Sequence, residues 1–359
     1  MALVGKSKIE NGYSGFLFCI SPLIIYFIVV GLVCRSSDMS KVLPEQKGST
    51  VTYILGEDHH DQTFYTLAKE YFLMDNLERT DKMVVHIRSI EGLIDHLNSS
   101  EQKLARIELV THGNVWSGLS AKILDGGERS YPKDLLKAKL KNELPLLKTG
   151  VIDRKTEINL WGCGIGRNPI MNIALDKIFT DSDGLRPRVK ASEDFVIFRK
   201  VAGTDTPIKL SASYWPYFFK RGYRPSESLI QQKLNNQFPE TDMDWQDAFS
   251  RDEAENDTAS FVNSFNIPVS WTVIYEQKED RPSVTSDDEK MSWIRSQKGL
   301  IKKIDDLEIP IDKYKWTVNK IIYTDEKGKK VPAIKAIGMS TVLCVVKPNR
   351  QQELIAEAH

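Results

Sequence analysis

The sequence predicts a doubly wound α/β fold, with a mainly parallel sheet and helices on both faces. One transmembrane helix is expected before it and an α+β C-terminal region after it. Three observations carry this reading. Short apolar runs alternate with helix-periodic segments from residue 51 to about residue 200, the pattern of parallel strands buried on both faces. Residues 16–34 (FLFCISPLIIYFIVVGLVC) carry no charge and reach the roughly 17–25 residues that a membrane-crossing helix needs. Of the 359 residues, 41% are hydrophobic, ample for a packed core, which excludes wholesale disorder.

Taken in order, the chain opens with a tail at residues 1–15. The uncharged stretch 16–34 reads as an uncleaved signal anchor, because it is long for a signal peptide and lacks a small-x-small cleavage site. A cleaved signal or a lipid-modified Cys34 is the competing reading, although Gly31-Leu32-Val33 makes a poor lipobox. A buried core helix fits poorly with a terminal segment that is apolar all round. Lys6 and Lys8 before the stretch and Arg35 and Lys41 after it leave the orientation open. The membrane is therefore an expected partner through residues 16–34, with single-pass localisation, and residues 35–50 form a linker.

The expected α/β domain covers residues 51–225. Residues 51–55 (VTYIL) form a strand that ends at Gly56. Phe64, Leu67, Ala68, Tyr71 and Phe72 share one face of a helix. Residues 83–87 form a second strand, residues 90–97 a second helix, and residues 105–110 (ARIELV) a third strand. Leu136, Leu140, Leu144 and Leu147 stripe the next helix. Residues 157–161 (EINLW) make the fourth strand. Asn168 caps a helix with Pro169 in its first position, running to Phe179. Residues 189–191 and 195–198 supply a fifth extended region.

Function in such sheets sits at the carboxyl ends of strands. Two reactive side chains stand there: His112 after the third strand and Cys163 after the fourth, each followed by glycine. Sequential strands are usually neighbours, so imidazole and thiol are expected at one sheet edge. A histidine that takes the thiol proton generates a thiolate able to attack a carbonyl. The N–H groups of Gly113 and Cys163 are placed to receive the resulting oxyanion.

This pattern resembles the caspase–hemoglobinase superfamily of cysteine peptidases. An apolar strand ends in His-Gly and a later one ends in Cys, separated by about 50 positions. The segments IELVTHGN, WSGLS, INLWGCGIG and VKASEDFVIF are most similar to self-processing peptidase domains of bacterial toxins and to CHAT-type domains. The resemblance covers about residues 51–200. It implies His112 as general base, Cys163 as nucleophile and Gly113 in the oxyanion hole, acting on a protein or peptide substrate, with self-processing or activation of a partner protein as possible roles. The Gln-Ala-Cys-Arg-Gly signature of caspases is absent, so aspartate specificity does not carry over. The resemblance places the specificity pocket at Glu57 and Asp58 and at Glu193 and Asp194, whose carboxylates would favour a Lys or Arg side chain; solvated loop acids are the plainer alternative. It also suggests a small anionic activator on Arg186, Arg188, Lys190, Arg199 and Lys200, against an exposed basic rim.

Two other functional classes fit parts of the sequence. Gly162-Cys163-Gly164-Ile165-Gly166 resembles the first motif of S-adenosylmethionine-dependent methyltransferases, but Leu160 stands where those enzymes place an acid. A catalytically inactive, membrane-tethered interaction module is the other alternative. With 49 Lys+Arg against 49 Asp+Glu, nucleic acid is not an expected partner. Four cysteines cannot staple a disulfide framework. No cofactor or metal is expected: neither HExxH nor paired CxxC occurs, and His59-His60-Asp61 reads as a helix-start loop. Asn98 and Asn256 fit the glycosylation acceptor pattern, which has meaning only in a eukaryotic secretory setting.

Residues 226–359 form the expected α+β extension. Residues 215–225 (WPYFFKRGYRP) read as a docking or core-edge segment. Residues 236–260 read as a loop or short helices, and residues 290–304 as helical. Residues 316–324 and 331–347 pair as a hairpin with Gly328 at the turn. Cys344 is expected in the core.

Overall fold

The computed structural model describes residues 49–59, 63–74, 76, 78–201, 203–251, 259–324 and 328–349. Residues 48–359 fall into one compact unit. The chain begins with strand β1 (Ser49–Ile54), helix α1 (Phe64–Leu73), strand β2 (Lys82–Val84), helix α2 (Ile90–Asn98) and strand β3 (Leu104–Val110). Three short strands follow: β4 (Gly113–Asn114), β5 (Gly118–Lys122) and β6 (Arg129–Ser130). Helix α3 (Pro132–Leu140), strand β7 (Glu157–Trp161), helix α4 (Pro169–Ile178) and strand β8 (Arg188–Ala191) complete the first layer.

The first sheet has the order β2-β1-β3-β7-β8 and is parallel throughout. Period-two alternation divides its side chains between two cores. Tyr53, Leu109 and Leu160 face one way and pack with Leu97 of α2, Leu135 of α3 and Leu175 of α4. Ile54, Val110 and Trp161 face the other way, against Tyr65, Ala68 and Phe72 of α1. Asn168 caps α4 as expected: its side chain accepts the Met171 N–H, and Pro169 occupies the first turn.

The second face departs from the expected helical cover. Strand β9 (Phe195–Lys200) packs there through Val196 and Phe198 and belongs to a different sheet. It pairs antiparallel with β10 (Pro207–Lys220). A short run buried on both sides does not reveal which sheet it joins, and this one was expected in the parallel sheet. Next come α5 (Glu227–Gln237), α6 (Trp245–Phe249), β11 (Phe261–Ile274), α7 (Asp287–Ser296), α8 (Lys298–Asp305), β12 (Lys315–Thr324) and β13 (Lys330–Pro348). The second sheet has the order β11-β13-β10-β9, with β12 also paired to β13. The pairing of β12 with β13 is the expected hairpin. The aromatic stretch from residue 215 lies inside β10, pairing with β13 from Ala212 to Lys220. It is sheet interior, and the sheet runs across residue 225.

Two further expectations fail. The leucine stripe does not continue as helix: α3 ends at Leu140, which is 63% exposed, whereas Leu144 and Leu147 are buried in the following loop. Pro145 disfavours helical backbone at Leu144, and Asn142 adopts a left-handed turn at φ 58°. The single-pass membrane architecture is also overturned, and with it that part of the expected fold class and the membrane localisation. Among the described residues no helix is long and apolar enough to cross a membrane. Helix α5, with 11 residues, would span about 16 Å of a roughly 30 Å hydrocarbon layer. Residues 16–34 lie outside the described residues.

Ile158 is the second residue of β7 and has no solvent exposure. Truncation to alanine removes its contacts with the helical layer and leaves a cavity that close-packed neighbours refill only in part. Ile158→Ala is expected to lower stability by about 2–5 kcal/mol, read as a fall in the urea midpoint at unchanged slope.

Candidate functional site

The ladder between β3 and β7 sets the geometry. Val110 lies opposite Trp161, and one rung further the Thr111 N–H donates to the Trp161 carbonyl at 3.1 Å. The ladder ends there, and His112 and Cys163 each stand two residues beyond its last pair, Cys163 in a turn. The His112 ring stacks on Phe64 of α1, with centroids 4.3 Å apart and planes at 26°, and meets Tyr65 edge-on at 4.8 Å. The Cys163 Sγ points at the Val196 carbonyl of β9, 3.6 Å away. His112 thus lies against α1, whereas Cys163 packs against the core of the second sheet, which includes Phe195, Tyr214 and Cys344.

Close approach explains the glycine before the thiol. A Cβ on Gly162 would come within 3.1 Å of the Thr111 carbonyl and of Ile165, so a side chain there would push the two strand ends apart. Gly164 has φ +68°, the left-handed region that glycine enters without penalty. The Gly164 and Gly166 N–H groups donate to the carbonyls of Asp194 and Ser192 at 2.9 and 2.8 Å. Protein carbonyls, rather than a cofactor, occupy these two donors of the glycine loop.

His112 is held by residues the sequence reading did not single out as functional. Its backbone N–H donates to the Tyr65 hydroxyl at 2.9 Å, and its carbonyl accepts the Ser120 N–H at 2.8 Å. The Ser120 hydroxyl lies 3.1 Å from that of Thr111 and 3.3 Å from that of Tyr65. Phe64 and Tyr65 open α1, and the pair of adjacent aromatics was the available signal. It was absorbed into the amphipathic face of the helix.

The imidazole is depressed in basicity, chiefly by burial, with the positive charges of Arg129 and His59 reinforcing the shift and Asp58 opposing it. It is therefore neutral near pH 7, the form that can accept a proton. Its Nε2 is out of contact with solvent and has no hydrogen-bond partner among the described residues. Buried polar atoms are rarely left so, and an orphan usually marks a chemical or ligand-linked role.

The expected specificity acids are placed differently from one another. Asp58 accepts the N–H groups of Tyr65 and Thr66 at 2.9 and 2.8 Å, anchoring the start of α1, where negative charge is favoured. Asp194 pairs with Arg167 at 3.0 Å and accepts the Ser211 hydroxyl at 2.8 Å; Arg167 in turn stacks over Tyr214 at 4.3 Å. Glu193 is exposed, and Glu57 pairs with Arg88. The basic run is spread over several carboxylates: Arg186 on Asp176, Arg188 and Lys190 on Glu157, Lys200 on Glu70 and Asp205. Arg199 lies over the Phe261 ring at 4.9 Å. Among the described residues no group of His, Cys, Asp and Glu is arranged to hold a metal ion, and His60 and Asp61 lie outside them.

Comparison with protein-family models, with curated proteins and with solved structures finds no match to this chain.

Replacing Tyr65 by phenylalanine keeps the ring that packs on His112 and removes the hydroxyl that accepts its N–H. That leaves a half-buried donor without a partner, so Tyr65→Phe should cost about 1–3 kcal/mol. Thermal or urea unfolding measures the loss, and amide hydrogen exchange at His112 should accelerate with it.

Proposed function

We propose that the protein is a cysteine peptidase working through His112 and Cys163. The observation that supports this reading is the pairing of β3 with β7, whose neighbouring carboxyl ends lead into His112 and Cys163. The neutral imidazole takes the proton from the Cys163 thiol, and the thiolate attacks the scissile carbonyl carbon. The carbonyl oxygen becomes an oxyanion, received by the Gly113 and Cys163 N–H groups. As the tetrahedral species collapses, the C–N bond breaks, and His112 returns its proton to the departing amine. A thioester to Cys163 remains. Water, deprotonated by His112, attacks that thioester and releases the acid and the free thiol. The chemistry needs no cofactor.

The aromatic packing supports the same reading. Stacking on Phe64 and contact with Tyr65 restrict rotation of the imidazole, which lowers the entropy lost in reaching the attack geometry. Cys163 is half-buried.

Cys163→Ala and His112→Ala should each abolish peptide cleavage, and the first should also abolish labelling by thiol-directed peptide probes, with the circular dichroism of the native fold retained. Undiminished cleavage by Cys163→Ala would overturn the mechanism.

The pH profile follows from the direction of the His112 shift. General-base function requires the neutral ring, and a lowered pKa keeps it neutral further into acid. The acidic limb of kcat/KM should therefore fall below the ordinary histidine value of 6.5, with activity lost as pH drops through the lowered pKa. Removing the Arg129 charge should move that limb upward.

A further inference from the structure

The carboxylates expected to select a basic substrate are engaged or exposed, whereas a cation near His112 has no acidic partner among the described residues. Arg129 projects from β6 in the small three-stranded sheet that follows His112. Its Nη2 donates to the Gly118 carbonyl at 3.3 Å. That same carbonyl presses on the residue after the histidine: a Cβ on Gly113 would lie 3.1 Å from it. The guanidinium is thus one carbonyl group away from the expected oxyanion donor. Its Nε is out of solvent and has no hydrogen-bond partner among the described residues, and no carboxylate lies within ion-pair distance of it among them. The Tyr131 ring has Arg129 at 5.8 Å and Lys303 of α8 at 5.6 Å from its centroid. Two cations on one ring, of which Arg129 is the more shielded from water, make a local positive field that an anion would relieve.

We propose that Arg129 forms a subsite for a substrate carboxylate on the leaving-amine side of the scissile bond. The side follows from the chemistry and rests on the peptidase reading above. His112 delivers its proton to the departing amine, so the surface adjoining His112 and Gly113 faces the segment that leaves. A guanidinium there offers paired N–H donors matched to a carboxylate. The carboxylate comes either from an Asp or Glu side chain just after the cleaved bond or from the chain terminus of the leaving segment. The selectivity is opposite in sign to that expected from Asp58, Glu193 and Asp194.

The test presents the full chain with a library of defined peptides and reads cleaved bonds by mass spectrometry. One arm carries Asp, Glu, Asn, Gln or Lys at the first two positions after the bond, with amidated C-termini. The other carries neutral side chains with free C-terminal carboxylates at varied distance. Enrichment in the first arm identifies a side-chain carboxylate, and enrichment in the second a terminal one. In whichever arm responds, Arg129→Gln should cut the acidic-to-neutral ratio of kcat/KM roughly 10- to 100-fold, and Arg129→Lys should retain part of that ratio. A ratio near one in the native protein, or an unchanged ratio in Arg129→Gln, overturns the subsite.

A second measurement separates the two ideas. N-acetylglutamate α-amide and N-acetylglycine are titrated into Cys163→Ala while the His112 ring resonance is followed by NMR. A saturable shift with either, lost when Arg129→Gln is added and partly kept with Arg129→Lys, supports the subsite independently of turnover. Binding without any peptide cleavage by the native chain overturns the peptidase reading alone. Cleavage with neither preference nor binding overturns the subsite alone, and absence of both overturns the two together.

Discussion

Everything at the candidate site depends on the parallel ladder between β3 and β7 and on its last rung, the hydrogen bond from the Thr111 N–H to the Trp161 carbonyl. Side chains in a strand alternate with a period of two, so a slip of one residue would turn every side chain of β7 to the other face. Ile158 and Leu160 would leave the helical core, and the turn that carries Cys163 would shift relative to the end of β3. The apolar alternation that buries Ile107, Leu109, Ile158 and Leu160 therefore also sets the two neighbouring strand ends that lead into His112 and Cys163. Core packing and site geometry have one cause.

The opposite face needs a second specification, because the two sheets meet there. Glu108 of β3 is fully buried and accepts the Trp161 indole N–H at 2.6 Å and the Asn159 amide at 3.1 Å. Lys209 of β10 sits 3.4 Å over the Trp161 ring and bonds both oxygens of Glu78, which also accepts the Tyr71 hydroxyl. Burial pushes Glu108 up and Lys209 down from their ordinary pKa values, in each case the largest cause. Such a cluster gives little net stability, since desolvation offsets most of the attraction. Its weight lies in uniqueness: any other seating of β10 against the first sheet would strand a buried charge without its partner. That seating also places β9, whose Val196 carbonyl faces the thiol.

The first sheet was legible because its strands are separate, short and apolar, and because turn and cap residues punctuate them. Asn168-Pro169 announced α4, and His112 and Cys163 stood out as reactive groups followed by glycine. The second sheet was less legible, since its strands pair over long separations: Pro216 of β10 meets Cys344 of β13. No local pattern encodes such a partner. The supports of His112 were hidden for a related reason. Tyr65 and Ser120 reach it from another helix and from a hairpin, and a periodicity count sees Tyr65 as one more apolar residue. Arg129 was invisible because the absence of a carboxylate beside it among the described residues is a property of three-dimensional burial. The anchor expected at residues 16–34 rested on hydropathy alone, and the described helices give it no counterpart.

The acids near the strand ends show how a fold can consume groups that a sequence presents as functional. Asp58 serves two backbone N–H groups at the start of α1, and Asp194 is divided between Arg167 and Ser211. A carboxylate committed in this way has less capacity to attract a substrate cation, because binding would have to replace hydrogen bonds already made. Its effect on the site becomes positional. By fixing the start of α1, Asp58 fixes Phe64 and Tyr65, and through them the plane of the His112 ring. The close fit needs Gly56 as well, since a Cβ there would fall 2.3 Å from the Tyr65 ring. Asp58 also opposes the fall in the His112 pKa that burial causes, so the ring's orientation and its basicity are set in part by one anchored carboxylate.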